Sequence, residues 1–327
     1  MENRRHFLNV TSKSACAVGL SSWGLSQEKK MSTGFVYDDI YLRHVLDAGH
    51  PESPERLRRI LVELERRGLD QELTPIPRIQ DPSPSIESHH SGRHVASIRE
   101  LPVTGDVAAA AVGGAIAAVR AVANGNVGNA FCAIRPPGHH ANNTGREEGF
   151  CFYSTAAIAA KYAQSLGFER ILIIDWDYHH GNATQNAFYD DPSVLFFSSH
   201  DWHAYPGTGD PSLTGEGEGT GFNINVHLDC GSKDKDMLSA WDKKLLPAAA
   251  QFEPDFVIIS AGFDSRKDDP LGCFNVTDDA FIRMTRTTMD VANTYCAGRI
   301  VSLLEGGYNL DGLAQGVASH VGALVQG

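Results

Sequence analysis

The stretch 172-LIIDWDYHHGNATQ-185 closes an apolar run with two aspartates and two histidines inside six positions. A near-continuous leucine and isoleucine run suits a strand covered on both faces. Charge at the end of such a strand is costly unless it is paired or bound to something. Asp177 and His179 are two apart, so an extended backbone points both side chains the same way, and Asp175 shares that parity. Such a set suits a metal. The competing reading is a hydrogen-bonded turn, with Asp177 capping the next helix and His179 satisfied in the core.

Working outward, further strands are expected at 35-FVYDD, 129-NAFCAIRP, 194-VLFFSSH, 222-FNINVHL, 256-FVIISAGFD and 299-RIVSLLEGG. Helical patterns fall between them at about 54–67, 106–125, 154–167, 234–252, 277–296 and 310–323. The first of these, 54-PERLRRILVELERRG, opens on Pro, spaces its leucines helically and closes on Gly. Strand–helix alternation of this kind predicts an open, mostly parallel α/β sheet. No repeat or internal linker interrupts it, so residues 31–327 read as one domain.

The polar chemistry is not scattered. "IRPPGHH", "IDWDYHH", "SAGFDSRKDD" and "LLEGGYNL" each begin where a strand ends, the edge at which open α/β sheets place ligand sites. Asp264 at the end of "VIISAGFD" offers a further oxygen ligand to Asp177 and His179. Two carboxylates and one imidazole leave a position for water, as catalytic zinc requires. In 135-RPPGHHA-141, two prolines and a glycine stiffen the turn that presents His139 and His140. Adjacent histidines suit proton transfer better than ligation. Asp175 and Asn182 are placed to fix their tautomers. In 304-LEGGYNL-310, Tyr308 offers a hydroxyl to an oxyanion.

Composition narrows the partners. The 327 residues are 42% hydrophobic and 21% charged, with a formal net charge of −12. An acidic balance argues against nucleic acid and is compatible with a cationic substrate. The six cysteines show no zinc-ribbon spacing and are expected as buried free thiols. Residues 1–30 read differently: Arg4, Arg5, Phe7 and Leu8 form an "RRxFL" core before a mildly apolar run, resembling a twin-arginine export signal. That run is too short and polar to span a bilayer. Export to the periplasm is the expectation, with a cytoplasmic protein starting near Met31 as the alternative.

The motifs "RPPGHHA…GFCFY", "IDWDYHHGNATQ", "YPGTGD", "SAGFDSRKDDPLG" and "EGGYNL", in this order from about residue 34 to the C-terminus, resemble the histone deacetylase superfamily. That superfamily includes acetylpolyamine amidohydrolases. Asn182 in "HHGN" gives the motifs a class II-like character. The resemblance implies a three-layer α/β/α arginase/deacetylase-like fold around a mostly parallel sheet. It implies one zinc per chain, held by Asp177, His179 and Asp264, and hydrolysis of an acyl-lysine or a small acylated amine. His139 and His140 match the tandem catalytic histidines, with His140 as base and acid, Asp175 behind His139 and Asn182 behind His140. Tyr308 matches the transition-state tyrosine. Phe150 and Tyr205, with Gly149 and Gly307, match the substrate tunnel, and Arg56 the acetate-release cavity. Asp175, Asp177, His179 and Ser198 resemble a structural potassium site. His180 is not expected to be a ligand.

Three alternatives remain at this point: an acetylpolyamine amidohydrolase, a non-enzymatic acyl-lysine binding module, and a two-manganese ureohydrolase. The last needs carboxylates where Gly181 and Arg266 stand. The linker "LPVT" before "GDVAAAAVGGA" is short, which predicts an open mouth to the site. The sequence fixes no oligomeric state.

Overall fold

Residues 31–327 are described by the computed structural model, and both the export-signal reading and Cys16 lie outside them. The strands are β1 (Thr33–Val36), β2 (Leu73–Pro75), β3 (Asn129–Cys132), β4 (Ile171–Asp175), β5 (Val194–His200), β6 (Asn223–His227), β7 (Phe256–Ala261) and β8 (Ile300–Leu304). They form one sheet in the order β2-β1-β3-β8-β7-β4-β5-β6, and every pairing is parallel. Every residue of β3, β4, β7 and β8 is buried. That is why these strands read as near-continuous apolar runs rather than alternating ones.

The helices are α1 (Glu55–Arg66), α2 (Ser83–Glu87), α3 (Gly92–Arg99), α4 (Thr104–Ala123), α5 (Thr155–Ser165), α6 (Asn182–Ala187), α7 (Asp234–Ala240), α8 (Leu246–Phe252), α9 (Asp278–Tyr295) and α10 (Leu310–Gln326). One layer joins α1, α10 and α9, with α7 and α8 against α9. The other is built on α4 and α5, with α2, α3 and α6 beside them. The expected α/β/α sandwich is therefore what forms, with a sheet that is wholly parallel. Helix α4 is long and apolar enough to cross a bilayer, but it is mostly buried against α5, β1, β3 and β8. It is a core helix.

The expected helix over 234–252 is interrupted by a wide turn at Trp241–Leu245. Pro247 has no N–H to donate and its ring crowds the carbonyl four residues back, which loosens the ladder there. The cysteines also depart from expectation. Cys230 and Cys273 are joined by a disulfide across a separation of 43 residues, while Cys132, Cys151 and Cys296 are buried and free. Neither partner lies in a strand. The loops after β6 and β7 are laced together by Gly231 N–H to Cys273 O and Asn275 N–H to Ser232 O, a proximity that chain spacing does not reveal.

Sheet order sets up the site. β3, β8, β7 and β4 are consecutive neighbours. Because all run the same way, their C-terminal ends lie along one edge, about 4.8 Å apart. The four polar segments noted in the sequence therefore emerge side by side.

Candidate metal centre and active site

Asp177 and His179 follow β4, and Asp264 follows β7. Their ligand atoms all lie within 4.8 Å of one another. His179 Nδ1 is 3.1 Å from both Asp177 Oδ1 and Asp264 Oδ2. The remaining carboxylate oxygens are spoken for: Gly306 N–H donates to Asp177 Oδ2 and Tyr178 N–H to Asp264 Oδ1, each at 2.8 Å. Gly306 and Gly262 leave room for this arrangement. A Cβ on Gly262 would strike the Asp177 carboxylate, and one on Gly306 would strike both carboxylates.

Electrostatics point the same way. Burial drives the Asp177 carboxyl up, but the His139 and His179 charges outweigh it and hold the group well below the usual carboxylate range. At Asp264, burial and the neighbouring Asp177 charge prevail and push its carboxyl up to about 7. Burial lowers His179, yet its bonds to Asp177 and Asp264 win and raise it to about 10. Two converging buried carboxylates and an imidazole held together only by protons form a donor set that fits a divalent cation, and zinc in particular.

The turn after β3 brings in the histidine pair, whose ring centroids are 4.0 Å apart. His140 Nδ1–H donates to Asn182 Oδ1 at 2.8 Å. A side-chain amide oxygen can only accept, so Nδ1 carries the proton and Nε2 keeps a bare lone pair. Burial, and then the charge on His139, lowers His140 well below the ordinary histidine range. His139 behaves oppositely. Burial alone would lower it, but Asp177, Asp175 and Glu305 together raise it well above that range. Its Nδ1 lies 3.0 Å from Asp175 Oδ2. The turn itself is gripped from just past β8, where Glu305 Oε2 accepts Gly138 N–H at 2.7 Å and His139 N–H at 3.2 Å.

A cavity of about 810 Å³ opens at this edge. Its lining includes His140, His179 and Tyr308, with Gly149, Phe150 and Tyr205 as walls. Phe150 meets Tyr308 edge-on at 5.9 Å, and Tyr205 meets His140 at 5.0 Å. Burial and the Asp264 charge raise the Tyr308 phenol well above its ordinary value, so it remains a donor. Arg56 and Gly307 do not line this cavity. Arg56 lies behind it, donating Nε–H to Gly307 O at 2.7 Å and an Nη2–H to Glu305 O. Ser198 is paired with Asp175 across β4 and β5. His180 turns away from the triad, with Nδ1 on the Thr208 hydroxyl at 2.8 Å.

Several residues of the site were not singled out in the sequence. Tyr178, Ala204 and Leu271 line the cavity, as do Arg146, Glu147 and Glu148, whose charge run in "GREEG" was the available signal. Glu52 is fully buried and joins two arginines: Arg56 Nη1 is 3.1 Å from Oε1, and Arg135 Nη2 is 2.6 Å from Oε2. A buried arginine needs an acid, and "HPESPER" supplies one four residues before Arg56.

Fold and site together define a metal-dependent hydrolase built on an α/β/α sandwich. Residues 50–324 match the histone deacetylase domain. The chain is 37% identical to a probable deacetylase of Archaeoglobus fulgidus over 86% of this chain and 83% of that one. It is 36% identical to the polyamine deacetylase HDAC10 of Mus musculus, over 84% of this chain but only 45% of the mouse protein. The crystal structure of the HDA15 HD domain superposes with a TM-score of 0.85 at 36% identity, covering 91% of this chain and 90% of that one. The chain belongs to the histone deacetylase family.

Proposed function

We propose that this chain hydrolyses the amide of an acylated lysine side chain or a small acylated amine, releasing the acid and the free amine. The observation that carries the reading is the convergence of His179 Nδ1 with the Asp177 and Asp264 carboxylates beside a bare His140 Nε2 and the Tyr308 phenol. Asp177, His179 and Asp264 would hold one zinc. An ion held by these three side chains would supply Lewis-acid polarisation of the acyl carbonyl and would make water more acidic.

The protein's own side chains do the rest. His140 Nε2 takes a proton from the attacking water and later delivers it to the departing amine. Asn182 keeps His140 in the required tautomer, and His139, braced by Asp175, carries positive charge beside it. Tyr308 donates its O–H to the oxyanion. Phe150 and Tyr205 flank the acyl-bearing methylenes and exclude water.

Acyl-lysine is favoured over an acetylated polyamine. Glu147 and Glu148 in the rim suit a polycation, and one relative is named a polyamine deacetylase. One oxygen of each carboxylate is held by the rim itself, however: Glu147 Oε1 accepts Phe150 N–H, and Glu148 Oε2 accepts Asn142 N–H and the Thr144 hydroxyl. Arg146 stands beside them and offsets their charge, and Leu271 and Tyr205 add apolar surface to the mouth. The short link between α3 and α4 adds no residue to the lining, which supports a mouth open to varied acyl carriers.

The test is a panel of acylated lysine peptides, acetylated polyamines and small amides, with zinc content measured alongside. Turnover is expected on the lysine substrates, and Tyr308→Phe should lower kcat by about 10²–10³ with zinc retained. Stoichiometric zinc with no acid released from any substrate would favour an acyl-lysine binding module instead.

A structural potassium ion beside Asp175, Asp177, His179 and Ser198 belongs to the same reading. His200 Nε2–H donates to Gly209 O at 2.9 Å, so its Nδ1 accepts from the Ser198 hydroxyl and leaves that oxygen's lone pairs free. A Tm that rises with potassium but not with tetramethylammonium would be the expected sign. Export through Arg4 and Arg5 is also proposed. A reporter fused after residue 30 should be exported and should stay inside when both arginines become lysine.

A further inference from the structure

Tyr308 must aim a phenol with little to steady it. Its ring touches Phe150 at 5.9 Å and lies 5.2 Å from the Arg56 guanidinium. No hydrogen bond among the described residues fixes its hydroxyl. The aim of the phenol therefore depends on the backbone that carries it, and that backbone follows two glycines, Gly307 adopting a φ of +119° that disfavours any side chain.

The segment is pinned residue by residue. Glu305 N–H donates to Ala261 O, Gly306 N–H to Asp177 Oδ2, and Gly307 O accepts from Arg56. At Tyr308 and Asn309 the pin is Asp269. Its Oδ2 accepts Tyr308 N–H at 2.7 Å and Asn309 N–H at 3.0 Å, while Oδ1 accepts Leu271 N–H at 3.0 Å. Asp269 is 8% exposed, so water offers these amides little substitute. One carboxylate thus ties the loop after β7, which carries the mouth residue Leu271, to the loop after β8, which carries Tyr308.

We propose that Asp269 is a positioning residue that acts through Tyr308, setting where the phenol meets the oxyanion. The proposal rests on the reading above, in which Tyr308 is the oxyanion donor. Asp269 touches no reacting atom.

A double-mutant cycle tests it. With an acetyl-lysine peptide, Asp269→Ala should lower kcat at least about tenfold and move KM less than about threefold, because the lost interaction is made in the transition state. In a Tyr308→Phe background the same change should cost less than about twofold, because no hydroxyl remains to be misplaced. Equal losses in both backgrounds, or an effect confined to KM, would overturn the assignment. If Asp269→Ala does not fold, Asp269→Asn carries the same cycle, since its single oxygen can serve the amides on one side only.

If the wild-type protein turns over no acylated amine, the functional reading fails while the positioning claim is still decided. The cycle is then read from the affinity of the zinc-loaded protein for acetohydroxamate, a chelator that presents an oxygen to the same phenol. A tenfold loss with Tyr308 present that vanishes in the Tyr308→Phe background supports the assignment; equal losses overturn it.

Discussion

His140→Ala should lower kcat by about 10²–10⁴, the range a positioned general acid–base residue contributes, with KM little changed. Of the paired histidines, His140 is the one suited to accept a proton. Its Nδ1–H is committed to Asn182, and burial and the charge of His139 keep the ring neutral. His139 is driven the other way by Asp177, Asp175 and Glu305, which makes it the less suited of the two to act as base. The pH profile checks the assignment from a second side. A base works only when neutral, so its contribution is present above its pKa and lost as pH falls through it. With His140 lowered, the acid limb of kcat/KM should lie below the ordinary histidine range. Asn182→Asp puts a carboxylate on Nδ1, favours the charged ring and should move that limb upward. A His140→Ala enzyme retaining a tenth of wild-type kcat would remove the residue from this role.

Strands β3, β4, β7 and β8 were legible because each is buried on both faces and so is mostly apolar, with only small or lone polar residues such as Ser302 and Asn129 inside it. The cluster of Asp177, His179 and Asp264 and the histidine pair were legible because unpaired charge at such an end demands a partner. Strand β2, with three residues, and helix α2, with five, are too short to show a period. Asp269, Glu305 and Glu52 were missed for a different reason. Each acts at least in part on groups far off in sequence: Asp269 on amides 39 and 40 residues away, Glu305 on one 167 residues away, and Glu52 on an arginine 83 residues away as well as on nearby Arg56. Two of these, Asp269 and Glu305, serve backbone amides, which leave no signature in side-chain identity. Cys230 and Cys273 illustrate the same limit. Residue type announces a site when the chemistry is in the side chain, and is silent when a side chain merely holds another segment in place.

Asp177→Ala should remove turnover altogether for practical purposes. Metal-assisted polarisation contributes several kcal/mol, and each factor of ten in rate is about 1.4 kcal/mol, so the loss is on the order of 10³ or more. Asp177 is the ligand to choose because it is joined to every part of the centre: His179 through Oδ1, the β8 loop through Gly306 N–H on Oδ2, and the charge that raises His139. Metal content measured by plasma emission should fall with activity. Gly306→Ala should do the same without removing any ligand, because its Cβ would be driven into both carboxylates. Metal uptake by the apo-protein should also depend on pH. Without a cation, His179 is raised to about 10 and Asp264 to about 7, so both hold protons that zinc must displace. Affinity should therefore weaken as pH falls through 7, and calorimetry at pH 7 in buffers of different ionisation enthalpy should report net proton release on zinc uptake. Uptake that releases no proton and is flat across that interval would mean that these three side chains are not the ligands.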